Sequence, residues 1–148
     1  MDAKSKLTHM GLTVADIDRT YTFYHKHFGF ERVLDGVLDE NYIQNFQHVF
    51  RLEDGMTCDF SVLQAPNGFC LELFCFKKTV DGEAVVWNRP GYHHICLDVP
   101  DVRDKFLEMA ADGVTFCIEP SPRWNTVPED GKFFAYLFDP DGNYIELH

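Results

Sequence analysis

The sequence contains the same two motifs twice, and this internal repeat constrains the fold more than any other feature. The pattern His-x-x-Leu-x-Val-x-Asp begins at His9 and again at His94. The pattern Pro-(Asn/Asp)-Gly-x-x-(Leu/Ile)-Glu-Leu begins at Pro66 and again at Pro140. Each half of the chain therefore opens with a histidine and closes with a glutamate, which indicates two copies of one folding unit.

The signals for helices and strands also follow the same order in both halves. After each histidine strand, an aspartate precedes an apolar helical face and a glycine follows it, as expected at helix ends. These residues are Asp16 and Gly29 in the first half and Asp101 and Gly113 in the second. Three further strands are predicted in each half, at residues 30–37, 57–64 and 69–76 and at residues 114–119, 132–139 and 143–148. The sequence therefore predicts an α+β fold of two tandem βαβββ modules.

The length of 148 residues suits one domain with a hydrophobic core. We expect a single domain over residues 1–148, with module one at about 6–79, a linker at about 80–91 and module two at about 92–148. The first half is longer than the second, mainly because of residues 39–55. This segment predicts either a loop or short helix over a functional site, or an ordinary surface insertion.

Charge and composition exclude several classes of partner. The net charge of −11 argues against nucleic acid, because phosphate binding requires clustered Lys and Arg. No apolar run approaches membrane-spanning length, and the polar start of the chain does not resemble a signal peptide. The five cysteines have no CxxC spacing. They predict reduced thiols, packed mostly as small apolar groups, in a cytoplasmic protein.

Strand periodicity predicts where the repeated histidines and glutamates point. Side chains alternate between the two faces of a strand, and the regular apolar residues of each strand should pack on the helices. The opposite face then carries His9, Glu72, His94 and Glu146, while the adjacent His93 points the other way. If the two modules pair edge to edge, these four side chains converge on one cavity.

Two imidazoles and two carboxylates suit one divalent first-row ion: Zn²⁺, Ni²⁺, Co²⁺, Mn²⁺ or Fe²⁺. The two carboxylates neutralise the ion, and a six-coordinate ion keeps two positions for water or substrate. A single histidine on a strand is usually an ordinary side chain, whereas four residues in register across a duplicated unit favour a metal site. A duplicate that has kept the residues without the function is the alternative.

The sequence resembles the vicinal oxygen chelate superfamily, which includes glyoxalase I, methylmalonyl-CoA epimerase, extradiol dioxygenases, fosfomycin-resistance enzymes and bleomycin-binding proteins. The resemblance covers residues 7–148. It rests on the opening histidine strand, on the Phe23-Tyr24 helix that ends at Gly29-Phe30, and on the closing motif at 139–147. It implies a cup-shaped mixed sheet with the helices on its convex side.

Within this superfamily the resemblance implies four metal ligands, at His9, Glu72, His94 and Glu146. A glutamate at position 72 resembles glyoxalase I, because the dioxygenases and fosfomycin enzymes use three ligands and the epimerase has glutamine there. Two positions depart from glyoxalase I, which has arginine where this chain has Thr13 and asparagine where it has Phe76. The resemblance therefore implies a metal-dependent isomerase, lyase or epimerase whose substrate need not carry glutathione.

The implied reaction is proton abstraction next to a metal-bound carbonyl that becomes an enolate. Glu146 is the expected base and Glu72 its partner, while His148 could assist but is expected to fray as the last residue. The expected substrate contacts are Arg123, Trp124 and Phe74. Further candidates, which more often serve in packing or at the surface, are Tyr42, Phe46 and His48.

Two other functions stay open. An extradiol-type dioxygenase would need Fe²⁺ or Mn²⁺ and resembles a longer, four-module chain. A non-enzymatic drug-binding protein of the bleomycin-resistance type resembles the fold without the metal residues. In each case we expect a small-molecule ligand, no nucleic acid, no membrane and a homodimer. The modules can close a site within one chain or swap between two chains.

Overall fold

In the computed structural model, residues 5–80, 82 and 84–148 are described, and they form two compact units that divide beside Gly82. The division falls inside the segment that the sequence predicts as the linker. The first unit contains β1 (His9–Thr13), α1 (Ile17–Phe28), β2 (Glu31–Leu38), α2 (Glu40–Asn45), α3 (Gln47–Phe50), β3 (Cys58–Gln64) and β4 (Cys70–Phe76). The second contains β5 (His94–Leu97), α4 (Val102–Ala111), β6 (Phe116–Pro122), a 3-10 turn (Pro128–Asp130), β7 (Phe133–Phe138) and β8 (Tyr144–Leu147).

Both units have the same sheet topology. The strand orders are β1-β4-β3-β2 in the first unit and β5-β8-β7-β6 in the second. In each unit the first and last strands pair in parallel and the other neighbours are antiparallel. The predicted α+β fold of two βαβββ modules is therefore confirmed.

The long helix of each unit begins at the predicted aspartate. The Asp16 carboxylate accepts a hydrogen bond from the backbone N–H of Arg19, so α1 begins with a satisfied donor. The α1 helix ends at Gly29, which adopts the left-handed conformation at φ 69° that an L side chain rarely takes. In the second unit Asp101 accepts two backbone N–H groups at the start of α4.

Burial confirms which face of each sheet is apolar. Leu71 and Leu73 on β4 and Ile145 and Leu147 on β8 have almost no exposed surface. Because side chains alternate along a strand, the glutamates between these leucines and isoleucines lie on the opposite face.

The insertion in the first unit folds into the short helices α2 and α3. Ile43 of α2 is fully buried and forms a cluster with Met56 and Cys58, against which Phe74 and Phe76 pack. In the register of β3 with β4, Cys58 lies opposite Phe76. The insertion therefore packs on the face of β4 that carries Glu72.

All five cysteines are free thiols, as predicted. Cys58 is buried and Cys70 and Cys75 are partly buried, whereas Cys96 and Cys117 are exposed and do not pack as small apolar groups. Among the residues described, no helix combines the length and apolar character needed to cross a membrane.

Candidate metal centre

The repeated histidine and glutamate occupy equivalent places in the two sheets. In the parallel pair β1–β4, the register partner of Glu72 is Gly11, two residues after His9. In the parallel pair β5–β8, the partner of Glu146 is Cys96, two residues after His94. A spacing of two residues keeps a side chain on the same face of a strand, so each histidine lies beside its glutamate on adjacent strands.

In each unit the imidazole nitrogen faces the carboxylate. His9 Nε2 lies 3.6 Å from Glu72 Oε2, and His94 Nε2 lies 2.9 Å from Glu146 Oε2. Two adjacent ligands of one ion at about 2.1 Å lie about 3 Å apart. Nitrogen and carboxylate oxygen donors also suit a divalent first-row ion. Within each unit the pair fits two ligands of such a metal.

The second nitrogen of each ring has a different environment in the two units. Thr8 Oγ1 lies 3.0 Å from His9 Nδ1, which is a contact that fixes the orientation of a ligand imidazole. His94 Nδ1 is buried and has no hydrogen-bond partner among the described residues. Instead, Trp87 from the predicted linker stacks on the His94 ring at a centroid distance of 5.5 Å and an angle of 25°. The His94 ring is therefore held by aromatic stacking, and its Nδ1 atom is left without a hydrogen bond from the described residues.

Tyr136 on β7 contacts the His94–Glu146 pair of the second unit. The sequence pattern did not identify this residue. It lies opposite Glu146 in the β7–β8 register, and its hydroxyl donates a hydrogen bond of 2.9 Å to Glu146 Oε2. Burial and the neighbouring carboxylate raise the pKa of Tyr136 well above its usual value of 10.0, so the phenol keeps its proton near neutral pH. Strand alternation on β7 could have indicated this residue, because Ala135 and Leu137 are the buried positions.

Cys96 and His148 also border Glu146. Cys96 Sγ lies 3.2 Å from His148 Nδ1, and one donor atom from each of the three side chains lies within 4.8 Å of the other two. Cys96 is exposed as a residue, but partial desolvation of its thiol, followed by the charge of Glu146, raises the pKa of that thiol to about 11. His148 is held rather than frayed, because its N–H donates to the Leu97 carbonyl and its carbonyl accepts from Val99.

The predicted substrate contacts differ in their exposure to solvent. Arg123 and Trp124 follow β6 and are exposed, and Trp124 is 92% exposed. The positive charge of Arg123 is near enough to Cys96 to oppose the rise of its pKa. Phe74 is partly buried and stacks on Phe76 with an angle of 13° between the rings.

The aromatic residues of the insertion form a small surface cluster. Tyr42 and Phe46 are roughly half exposed, and their ring centroids lie 5.0 Å apart. The ring of His48 lies 6.3 Å from that of Phe46. These contacts are made within the insertion.

Comparison with known proteins agrees with this architecture. A family model described as the Glyoxalase/Bleomycin resistance protein/Dioxygenase superfamily matches residues 6–147. Because the match spans nearly the whole sequence, the chain belongs to this superfamily.

The chain is also similar to individual proteins of known sequence or structure. It is 28% identical to the lactoylglutathione lyase of Schizosaccharomyces pombe over 151 aligned positions, covering 96% of this chain and 46% of the lyase. The chain thus spans about half the length of that relative. The crystal structure of SMU.1112c has 28% identity and a TM-score of 0.67, covering 97% of this chain and 98% of that one. The trypanothione-dependent glyoxalase I of Leishmania major has 26% identity and a TM-score of 0.62, covering 97% and 86%.

Proposed function

We propose that this chain is a divalent-metal-dependent isomerase or lyase of the glyoxalase I type, or an epimerase of the same chemistry. One ion of Zn, Ni, Co, Mn or Fe would be held by His9, Glu72, His94 and Glu146. The observation that carries the proposal is the same His–Glu pair, in the same register, in both units. The two pairs can come from one chain or from both chains of a homodimer. Five free thiols suit the reducing cytoplasm.

The residues around Glu146 support a role in proton transfer. A bound ion would act as a Lewis acid that stabilises negative charge developing on a substrate carbonyl oxygen. Glu146 then removes the proton from the neighbouring carbon and returns it to an adjacent carbon or to the opposite face. Tyr136 and His94 both contact Oε2, which orients the carboxylate. Glu72 is the proposed partner in the transfer.

The substrate need not carry glutathione. Phe76 stands where glyoxalase I has asparagine, and it packs against the cluster of Ile43, Met56 and Cys58. Thr13, which stands where glyoxalase I has arginine, is uncharged and cannot pair with a carboxylate. A small molecule with adjacent oxygens or one acidic C–H fits the proposal, and Arg123, Trp124 and Phe74 are its proposed contacts.

Metal analysis is the first test. Protein purified without added metal should contain close to one divalent ion per chain, or take one up on reconstitution. His9→Ala and His94→Ala should each lower this content, whereas Glu119→Gln, an exposed acid on β6, should leave it unchanged. A chain with only trace metal and no uptake would contradict the proposal.

Deuterium exchange tests the reaction. The protein would be incubated in D₂O with glutathione and trypanothione hemithioacetals of methylglyoxal and with methylmalonyl-CoA. Deuterium at the carbon next to the carbonyl is the expected result with at least one of them, and Glu146→Gln should abolish it. Oxygen consumption with catechols, without deuterium exchange, would indicate a dioxygenase instead. Binding without turnover of any of these compounds would indicate a non-enzymatic binding protein.

A further inference from the structure

The two units differ at the positions that lie two residues beyond the repeated histidine and glutamate. In the first unit these positions hold Gly11 and Phe74. A Cβ at Gly11 would lie 3.3 Å from Phe74 Cε2, so the phenylalanine ring covers the glycine. In the second unit the same positions hold Cys96 and His148, whose Sγ and Nδ1 atoms lie 3.2 Å apart. These positions form an apolar contact in the first unit. In the second unit they hold a cysteine and a histidine, which are residue types that commonly bind metal ions.

We infer that Cys96, Glu146 and His148 form a second cation site, which takes a borderline-soft divalent ion such as Zn²⁺ or Co²⁺. The three donors lie within 4.8 Å of one another. In a tetrahedral zinc site a thiolate sulfur and an imidazole nitrogen lie about 3.5 Å apart. The observed 3.2 Å between Cys96 and His148 is close to this edge, so small side-chain movements admit the ion.

The two oxygens of the Glu146 carboxylate have different contacts, and this difference leaves one of them for the second cation. Tyr136 and His94 both contact Oε2 of the carboxylate. The other oxygen, Oε1, is the one that we assign to the second cation. Three protein ligands leave one tetrahedral position for water or an external ligand, as in catalytic zinc sites.

The backbone fixes the geometry of this site. Cys96 and Glu146 are register partners on the parallel strands β5 and β8. His148 is tied to the same strand pair, because its N–H donates to Leu97 and its carbonyl accepts from Val99. All three ligands belong to the second unit, and none of them comes from the first. The inference therefore does not rest on the function proposed above.

Sulfur coordination gives the site a distinctive signal. Co²⁺ would be titrated into metal-free protein while the near-ultraviolet absorption is recorded, because thiolate ligation produces a sulfur-to-cobalt charge-transfer band. We expect this band to rise to a maximum as Co²⁺ is added and to disappear when excess Zn²⁺ competes. The thiol proton is released to solvent when the ion binds, so the thiolate is the ligand.

Matched variants identify the ligands. Cys96→Ser should remove the band, and Cys117→Ser, at the other exposed cysteine, should retain it. The double variant Cys96→Gly/His148→Phe places in the second unit the residue types that the first unit has at Gly11 and Phe74. We expect this variant to fold and to lack the band. His9→Ala/Glu72→Gln should retain the band, because both changes lie in the first unit.

The Co²⁺ band in these variants decides whether Cys96, Glu146 and His148 bind a cation. A band that follows Cys96 and His148 and survives the changes at His9 and Glu72 supports it. A band that persists in Cys96→Ser, or Co²⁺ binding with no sulfur transition, overturns it. Loss of the band in the first-unit double variant also overturns it. Failure of the metal test at His9 alone contradicts only the proposed enzyme function, so the two failures are distinguishable.

Discussion

The two units share one topology and one His–Glu register, yet they surround this pair differently. In the first unit the distance between His9 Nε2 and Glu72 Oε2 is 3.6 Å, and the imidazole is 52% exposed. In the second unit the corresponding distance between His94 and Glu146 is 2.9 Å, and the imidazole is 26% exposed. The second pair is shorter and more enclosed because aromatic side chains of its own unit surround it.

The difference lies in what faces the glutamate. Opposite Glu72 on the neighbouring strand is Val62, whereas opposite Glu146 is Tyr136, which donates a hydrogen bond to the carboxylate. The first unit instead uses this face for apolar packing of its insertion through Ile43. One unit thus has a hydrogen-bonded carboxylate on this face, and the other has a packed apolar cluster. We therefore expect proton transfer to depend mainly on the second unit.

The largest expected effect separates the two glutamates. With an active substrate, Glu146→Gln should lower kcat about 10²–10⁴-fold, because it removes the proposed general base. Glu72→Gln should lower kcat by less, about 10–100-fold, because it removes a ligand and a partner but not the base. Steady-state kinetics on both variants, loaded with the same metal, would measure this ratio. Equal losses of kcat in the two variants would contradict the expectation that proton transfer depends mainly on the second unit.

The next effect concerns the insertion of the first unit. Ile43→Ala should lower the free energy of unfolding by about 2–5 kcal/mol, because it opens a cavity in the cluster with Met56 and Cys58. Val49→Ala, at a position that is 66% exposed, should change it very little. Urea denaturation would compare the two variants. If Ile43→Ala is as stable as Val49→Ala, the insertion does not pack as a structural part of the first unit.

A smaller effect tests the hydroxyl that only the second unit has. Tyr136→Phe should lower kcat about tenfold, since it removes one hydrogen bond to the proposed base and keeps the ring. Tyr42→Phe, in the insertion, is the matched control. An unchanged kcat in Tyr136→Phe would show that this hydroxyl does not act on Glu146.

The smallest effect concerns the helix caps. Backbone N–H groups of Asp104 and Arg103 hold the pKa of Asp101 below its usual value of 3.8. A lowered folded-state pKa stabilises the protein above the unfolded value and loses this contribution as the pH falls. Asp101→Ala should thus lower the Tm by a few degrees at neutral pH and by less in acid. Thermal unfolding at pH values on both sides of 3.8 would check this, with exposed Glu119→Ala as control. If the Tm difference between Asp101→Ala and the unmodified protein grows as the pH falls, the Asp101 carboxylate does not stabilise the fold in its charged form.

Much of this architecture could be predicted because its signals are local. Asp16 and Gly29 bound a helix through contacts with residues a few positions away. The buried Leu71 and Leu73 follow from strand alternation alone. The same alternation assigned Glu72 to the opposite face. The two short helices of the insertion could not be distinguished from a loop, because the cluster that buries Ile43 includes residues far away in the sequence, such as Phe74 and Phe76 on β4.

The repeated motifs were sufficient to predict two βαβββ modules and the strand face that carries His9, Glu72, His94 and Glu146. Repetition and a two-residue period are enough for both conclusions. The side chains that surround Glu146 became known from the folded chain: Tyr136, Cys96, His148 and, through His94, Trp87. These neighbours depend on strand register and on packing between segments that are far apart in sequence. A local pattern does not contain that information, because many registers satisfy the same alternation.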